Sequence, residues 1–187
     1  MPEALALIRS HSDDIATHLQ WFTEALSLAT REPVLERSDP TTVLRSVAEG
    51  ARLKFVGESE RRAAPAAEAP IDHEPALVAF VARAFLDLVR SVRSPTPAEV
   101  HGRVRRDADF AIFELRCSET TDHERQPAAL VDGFLRGGES NAGRIARSAL
   151  RAAAALVELR GGALEFLGSP DRGATSRMRL PSRSGRA

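Results

Sequence analysis

The chain has 187 residues, of which 43% are apolar and 28% charged, a balance that suits a folded protein with one good core or two small domains and excludes a disordered one. Its 26 basic and 26 acidic side chains cancel, so no excess charge points to nucleic acid or to a membrane surface. The single cysteine, Cys117, excludes an internal disulfide or a cysteine zinc cluster, and neither a membrane-length apolar run nor a basic-then-apolar leader is present. A cytoplasmic protein is expected.

Residues 2–31 read as one helix. Ile8, Ile15, Leu19, Phe22, Leu26 and Ala29 recur by three, four or seven, which makes a narrow seam rather than a broad face. Pro33 ends this helix, Ser38 or Asp39 can cap a second, and Pro40 suits its first turn. Leu44, Val47, Ala48, Ala51 and Phe55 continue that second stripe to about residue 60. Two helices joined by a short loop are expected to pack as an antiparallel hairpin. Their stripes need a further surface, so a homodimeric four-helix bundle is expected, with Ile15, Leu19, Phe22, Leu26, Leu44 and Val47 in its interface. The proline-bounded stretch 61–70 reads as a linker, dividing the chain into 1–62 and 71–182.

Beyond the linker, residues 75–93 carry Leu77, Phe80, Val81, Ala84, Phe85, Leu88 and Val92 on one side of a helix. Strands are expected at 100–106 and 110–117 around Asp107, Ala108 and Asp109. A short helix at 128–136 is closed by Gly137 and Gly138, and a long one from 141 places Ile145, Ala149, Ala152, Leu156 and Leu159 on one face. Gly161 supplies the left-handed stop, and strands at 163–167 and 174–180 flank turn chemistry at 170–173. The fold class is α+β, a helical hairpin followed by helices on one side of an antiparallel sheet.

The tail, with its long helix, paired glycines, strand, turn and terminal Arg179-Leu180-Pro181, resembles the end of the ATP-binding domain of sensor histidine kinases. The whole order of elements is similar to the histidine kinase core, and most of all to the ChpT-type histidine phosphotransferases, which keep both of its parts without binding ATP. Three short segments carry that likeness. Asp13-Asp14-Ile15-Ala16-Thr17-His18-Leu19 stands for the phosphotransfer motif, Ala51-Arg52-Leu53-Lys54-Phe55 for an "ARLRFF" motif, and Phe85-Leu86-Asp87-Leu88-Val89 for "LLNLV". The resemblance implies a phosphorelay protein of two-component signalling: a dimeric helical hairpin, a degenerate GHKL ATPase-like sandwich, and a response regulator receiver domain as partner.

The departures narrow this. The Mg²⁺-binding asparagine of the kinases is replaced by Asp87 or Ser91, and the place of the first glycine box, 117–121, holds no glycine. Gly137, Gly138 and Gly143 read as helix punctuation rather than a phosphate cradle. No nucleotide or other cofactor, and no autokinase activity, is therefore expected. A GHKL-type ATP-binding kinase stays open only if the glycine boxes lie elsewhere.

The resemblance puts Asp13 in the phospho-acceptor slot, about 140° around the helix from Ile8. An aspartate there cannot become phosphohistidine. It serves either as a plain solvated residue or, with Asp14, Thr17, Gln20 and Trp21, as part of a receiver-docking face extending to Glu24. His11 and His18 lie toward the seam, where an imidazole is commonly partly buried, and His18 is the reasonable substitute acceptor. The spacing of His11, Asp14 and His18 also admits a metal site, but no further ligands cluster with them, and no metal is expected. His73, His101 and His123 lack partners in spacing. Trp21 and Leu28 sit off the seam, positioned to pack the next domain or to contact a partner.

Overall fold

The computed structural model describes residues 2–57, 70–92, 99–107, 109–117, 141–169 and 173–182. Helix α1 (Pro2–Thr30) leads into a short strand β1 (Glu36–Ser38), helix α2 (Pro40–Gly50) and strand β2 (Lys54–Gly57). After β3 (Ile71–His73) come helix α3 (Pro75–Val92) and strands β4 (Glu99–Asp107) and β5 (Phe110–Cys117). Helix α4 (Asn141–Leu159) and the hairpin β6 (Ala163–Ser169) and β7 (Gly173–Pro181) complete the described chain.

The strands form a five-stranded sheet in the order β2-β4-β5-β7-β6 and a two-stranded one of β1 and β3. Neighbours in the larger sheet are antiparallel except β2 and β4, which run parallel, so the sheet is mixed. Alternation along each strand sends Val100 and Val104, Ala111, Phe113, Leu115 and Cys117, and Met178 and Leu180 into one core with the helices. Helix α3 lies at its centre. Phe80, Phe85, Leu77, Leu86, Val78 and Val89 are all below 2% exposed or at it, so this helix is buried nearly all round.

The expected helix at 39–60 is corrected. Its start holds, since Asp39 accepts a hydrogen bond from Thr41 N at 2.8 Å and Pro40 occupies the first turn. It ends at Gly50, where Arg52 N donates to Glu49 O at 2.8 Å and Leu53 N to Ala48 O at 2.9 Å, with Arg52 at φ 57. This is a Schellman ending with arginine in the left-handed position, a conformation costing a non-glycine residue about 1 kcal/mol. Ala51-Arg52-Leu53-Lys54-Phe55 is thus a helix stop and the start of β2, not a helical motif.

The hairpin is corrected with it. Helix α2 packs on α3 and β4, and α1 packs on α4. Leu44 and Ala48 are 2% and 0% exposed, and the ring of buried Phe55 lies over Gly102, where an added methyl would come within 2.4 Å of it. Residues 36–57 accordingly belong to the sandwich through β1, α2 and β2. The expected linker lies outside the described residues apart from Pro70, as do the helix at 128–136 and most of the turn at 170–173. No described helix is long and apolar enough to cross a membrane.

The tail follows its expected course. Gly161, at φ +75, ends α4 with bonds from Gly161 N to Glu158 O and Gly162 N to Val157 O, both 2.9 Å. A Cβ on Gly162 would stand 2.2 Å from the Arg179 carbonyl oxygen, so α4 can reach β7 only without a side chain there. Gly162→Ala is expected to cost about 2 kcal/mol, read as a lowered urea midpoint at unchanged m-value; an unchanged midpoint would refute the close approach.

Candidate functional site: a projecting helix and its anchorage

Helix α1 is held at its C-terminal end. Trp21 meets Phe80 edge-on, with ring centroids 4.9 Å apart at 80°, and Leu28 is 2% exposed in the core. The Arg83 guanidinium lies 5.5 Å from the Trp21 ring centroid and pairs with Glu24.

Arg160 completes the anchor. Its Nε donates to Glu74 Oε2 at 3.0 Å and its Nη2 to the Leu28 carbonyl at 2.6 Å, with the Arg31 carbonyl 3.5 Å away. One guanidinium therefore joins the end of α4, the start of α3 and the last carbonyls of α1, whose helix dipole favours a cation there. The Glu74 side chain is 4% exposed and Arg31 Nη2 stands 3.8 Å from its other oxygen. A cleft of about 440 Å³ opens beside this junction, lined among others by Glu32, Leu35, His73, Glu74 and Arg160. In it His73, 2% exposed, donates from Nδ1 to the Ile71 carbonyl at 2.8 Å, which fixes the proton on that nitrogen.

Residues 9–20 of α1 are exposed apart from half-buried Asp14. Ile15, Leu19, Phe22 and Leu26 are 59%, 60%, 67% and 52% exposed, at spacings of four, three and four that make one continuous seam. Trp21 and Leu28 lie about 130–150° around the helix from the middle of that seam, so the anchored side and the apolar side are nearly opposite.

The residues singled out in the sequence separate accordingly. Asp13, Thr17, Gln20, His11 and His18 are exposed, Asp14 is half-buried, and the Asp13 carbonyl accepts the Thr17 hydroxyl at 2.8 Å. Both histidines are exposed in the single chain. Trp21 packs the sandwich, the first of its two readings, and Glu24, paired with Arg83, is where the polar strip runs into the body. Leu44 lies in the sandwich core and Val47 is packed against it, which takes both out of the seam. Asp87 is half-buried on α3, Cys117 is buried at the end of β5, and Gly143 lies in α4, while residues 118–140 lie outside the described residues. Among the described residues no cluster of three or more histidine, cysteine or acidic side chains is placed to hold a metal ion.

Sequence reasoning missed Glu74, Arg83 and Arg160. The pairs they form span 59 and 86 residues, beyond any local periodicity. The one available signal was that Arg160 immediately precedes the helix stop at Gly161, where a cation finds free carbonyls.

No family model matches the chain, and no curated protein matches it in sequence. Solved structures do. The Acinetobacter baumannii histidine kinase AdeS is similar over 95% of this chain and 79% of that one, at 10% identity and a TM-score of 0.51. Full-length ShkA, solved in complex with AMPPNP, is similar over 100% of this chain at 15% identity and a TM-score of 0.58, and the chain spans 40% of its length. At such identities the fold is what is shared, an α+β sandwich.

Arg160→Ala would leave the Glu74 carboxylate buried without its main partner. A loss of about 3 kcal/mol is expected in urea unfolding, with Trp21 fluorescence reporting a loosened α1; a loss below about 1 kcal/mol would show that the junction is held otherwise.

Proposed function

We propose that this chain is a two-component signalling protein, similar to the histidine phosphotransferases, that binds a response regulator receiver domain without ATP-dependent autophosphorylation. The observation that carries the reading is a sandwich of histidine kinase type from which one long helix projects with an open polar flank and an open apolar seam. Asp87 or Ser91 in place of the Mg²⁺-binding asparagine, and a sequence without glycine over 117–121, argue against nucleotide chemistry. The receiver would dock on the flank that carries Asp13, Asp14, Thr17 and Gln20, with Trp21 as its base rather than its contact.

The seam gives the partner for a homodimer. Ile15, Leu19, Phe22 and Leu26 follow heptad spacing, so two copies of α1 would pair along them. Because α2 belongs to the sandwich, each copy contributes α1 alone from its described residues, in place of the hairpin. Leu19→Glu and Phe22→Glu alter side chains exposed in the single chain, so each is expected to abolish the dimer in light scattering while leaving the circular dichroism unchanged. Leu44→Glu is expected to unfold the sandwich instead. A wild-type monomer at tens of micromolar, or a dimer that survives both seam variants, would remove this assembly.

A second reading is favoured by the exposure of His11 and His18: an active phosphotransferase, with His18 or His11 accepting a phosphoryl group from a receiver aspartate. One experiment separates the two. The protein is incubated with phosphorylated receiver domains and any label tested for acid and base stability. No label on the parent, together with acid-labile label on Asp13→His, is the expected outcome. Label on the parent that His18→Ala abolishes would establish the relay reading. Calorimetry with ATP and Mg²⁺ is expected to show no binding at millimolar nucleotide, and micromolar affinity would overturn both in favour of a kinase.

A further inference from the structure

The cleft beside the Arg160 junction lies at the start of α3 and the end of α4. About 18 Å of helix separates Pro75 there from Asp87, and more from Ser91, so it is not the nucleotide place of the kinases. Its volume of about 440 Å³ is that of a small-molecule site. Leu77 and Leu180, 1% and 7% exposed, form its floor, and exposed Pro33, Leu35 and Pro181 form its rim.

The polar groups of this cleft are of one kind. Glu32 is exposed and Asp72 half-buried, and neither forms an ion pair or hydrogen bond with a described residue, Arg37 opposite Asp72 in the β1–β3 register included. Behind them Glu74 turns Oε2 to Arg160, while its Oε1 is buried without a hydrogen-bond partner among the described residues, the Arg31 guanidinium standing 3.8 Å away. His73 commits its Nδ1 proton to the Ile71 carbonyl, which leaves Nε2 a bare acceptor, also buried and unpartnered among the described residues. Arg160, the one cation among the described residues that line the cleft, spends Nε on Glu74 and Nη2 on the Leu28 carbonyl.

Buried acceptors without donors are costly, and apolar walls strengthen the field of the carboxylates set among them. Three carboxylates against one guanidinium leave the lining acidic. A ligand that supplies donors and positive charge fits it, and one that brings a carboxylate or phosphate does not. We propose that this cleft binds a small organic cation, an ammonium group carried on an apolar body. The body lies over Leu35, Leu77 and Leu180, and the ammonium faces Glu32 and Asp72 at the mouth, within the field of Glu74. This goes beyond the two-component reading and stands independently of it.

The test uses the full chain and phenethylamine, an ammonium at neutral pH whose aromatic body the cleft can hold. Controls of similar shape are hydrocinnamate, an anion, and phenethyl alcohol, which is neutral. Phenethylamine is expected to bind saturably with a Kd at or below about 1 mM, with amide shift changes centred on Leu35, Asp72 and Glu74. Hydrocinnamate should bind at least tenfold more weakly and the alcohol at least threefold. Glu32→Gln combined with Asp72→Asn removes two unpaired carboxylates and should weaken the amine at least fivefold, while Glu165→Gln on the edge strand β6 leaves it within twofold. If the double variant fails to fold, the shift map and the order of the three probes on the unaltered protein decide. No saturable binding, binding of hydrocinnamate or the alcohol as tight as that of the amine, an unchanged affinity in the double variant, or shifts centred on the α1 seam would each overturn the proposal.

Discussion

The contact between Arg160 and Glu74 decides how everything else is arranged. A carboxylate with a 4% exposed side chain is tolerable only with a cation against it, and the arginine that serves comes from the far end of α4. The same guanidinium reaches the Leu28 carbonyl, so the charge that stabilises the start of α3 also holds the end of α1. Arginine is required because its planar fork serves a carboxylate and a carbonyl together, which a lysine ammonium at the end of a flexible stem does less well. Without this junction the contacts of Trp21, Ala25 and Leu28 and the Arg83–Glu24 pair would have to orient α1 by themselves.

Much of the chain was legible because its local chemistry and its final structure agree. Asp39 with Pro40 announced α2, and Gly161-Gly162 announced the end of α4. Strand β5 was legible to the residue because its alternating and apolar positions coincide with a half-buried strand. The failure at residues 51–55 has an equally definite cause. Glycine is the usual marker of a left-handed helix stop, and here Gly50 lies two positions early while Arg52 takes the conformation. A reader of the sequence sees an unbroken stripe through Phe55, although Leu44 and Ala48 face α3 and Phe55 faces Gly102.

The three-residue strands β1 and β3 were illegible for a different reason. Glu36, Arg37 and Ser38 pair with His73, Asp72 and Ile71, and neither segment is long enough to display a period. Their pairing exists because the sandwich brings both to its edge. Without that pairing in view, nothing in the sequence ties α2 to the sandwich rather than to α1. At the candidate site the consequence was specific. The exposed seam of Ile15, Leu19, Phe22 and Leu26 was legible, since its period lies within one helix. The loss of Leu44 and Val47 from that seam was not, since it depends on where α2 is packed.

Helix α1 therefore carries two surfaces of different origin. One side is fixed by side chains distant in sequence, Phe80, Arg83, Glu74 and Arg160, and sets the direction in which the helix leaves the body. The other is a plain heptad seam that no described element of the chain covers, and more than half of the surface of each of Ile15, Leu19, Phe22 and Leu26 is open to water. Covering four such side chains is favourable by several kcal/mol on a scale of roughly 25 cal/mol per Å². The anchorage lies on the opposite side of the helix from that driving force, so a partner can engage the seam without disturbing the junction. A rigid stem with a free apolar edge follows from placing the charged clasp and the seam on opposite faces of a single helix.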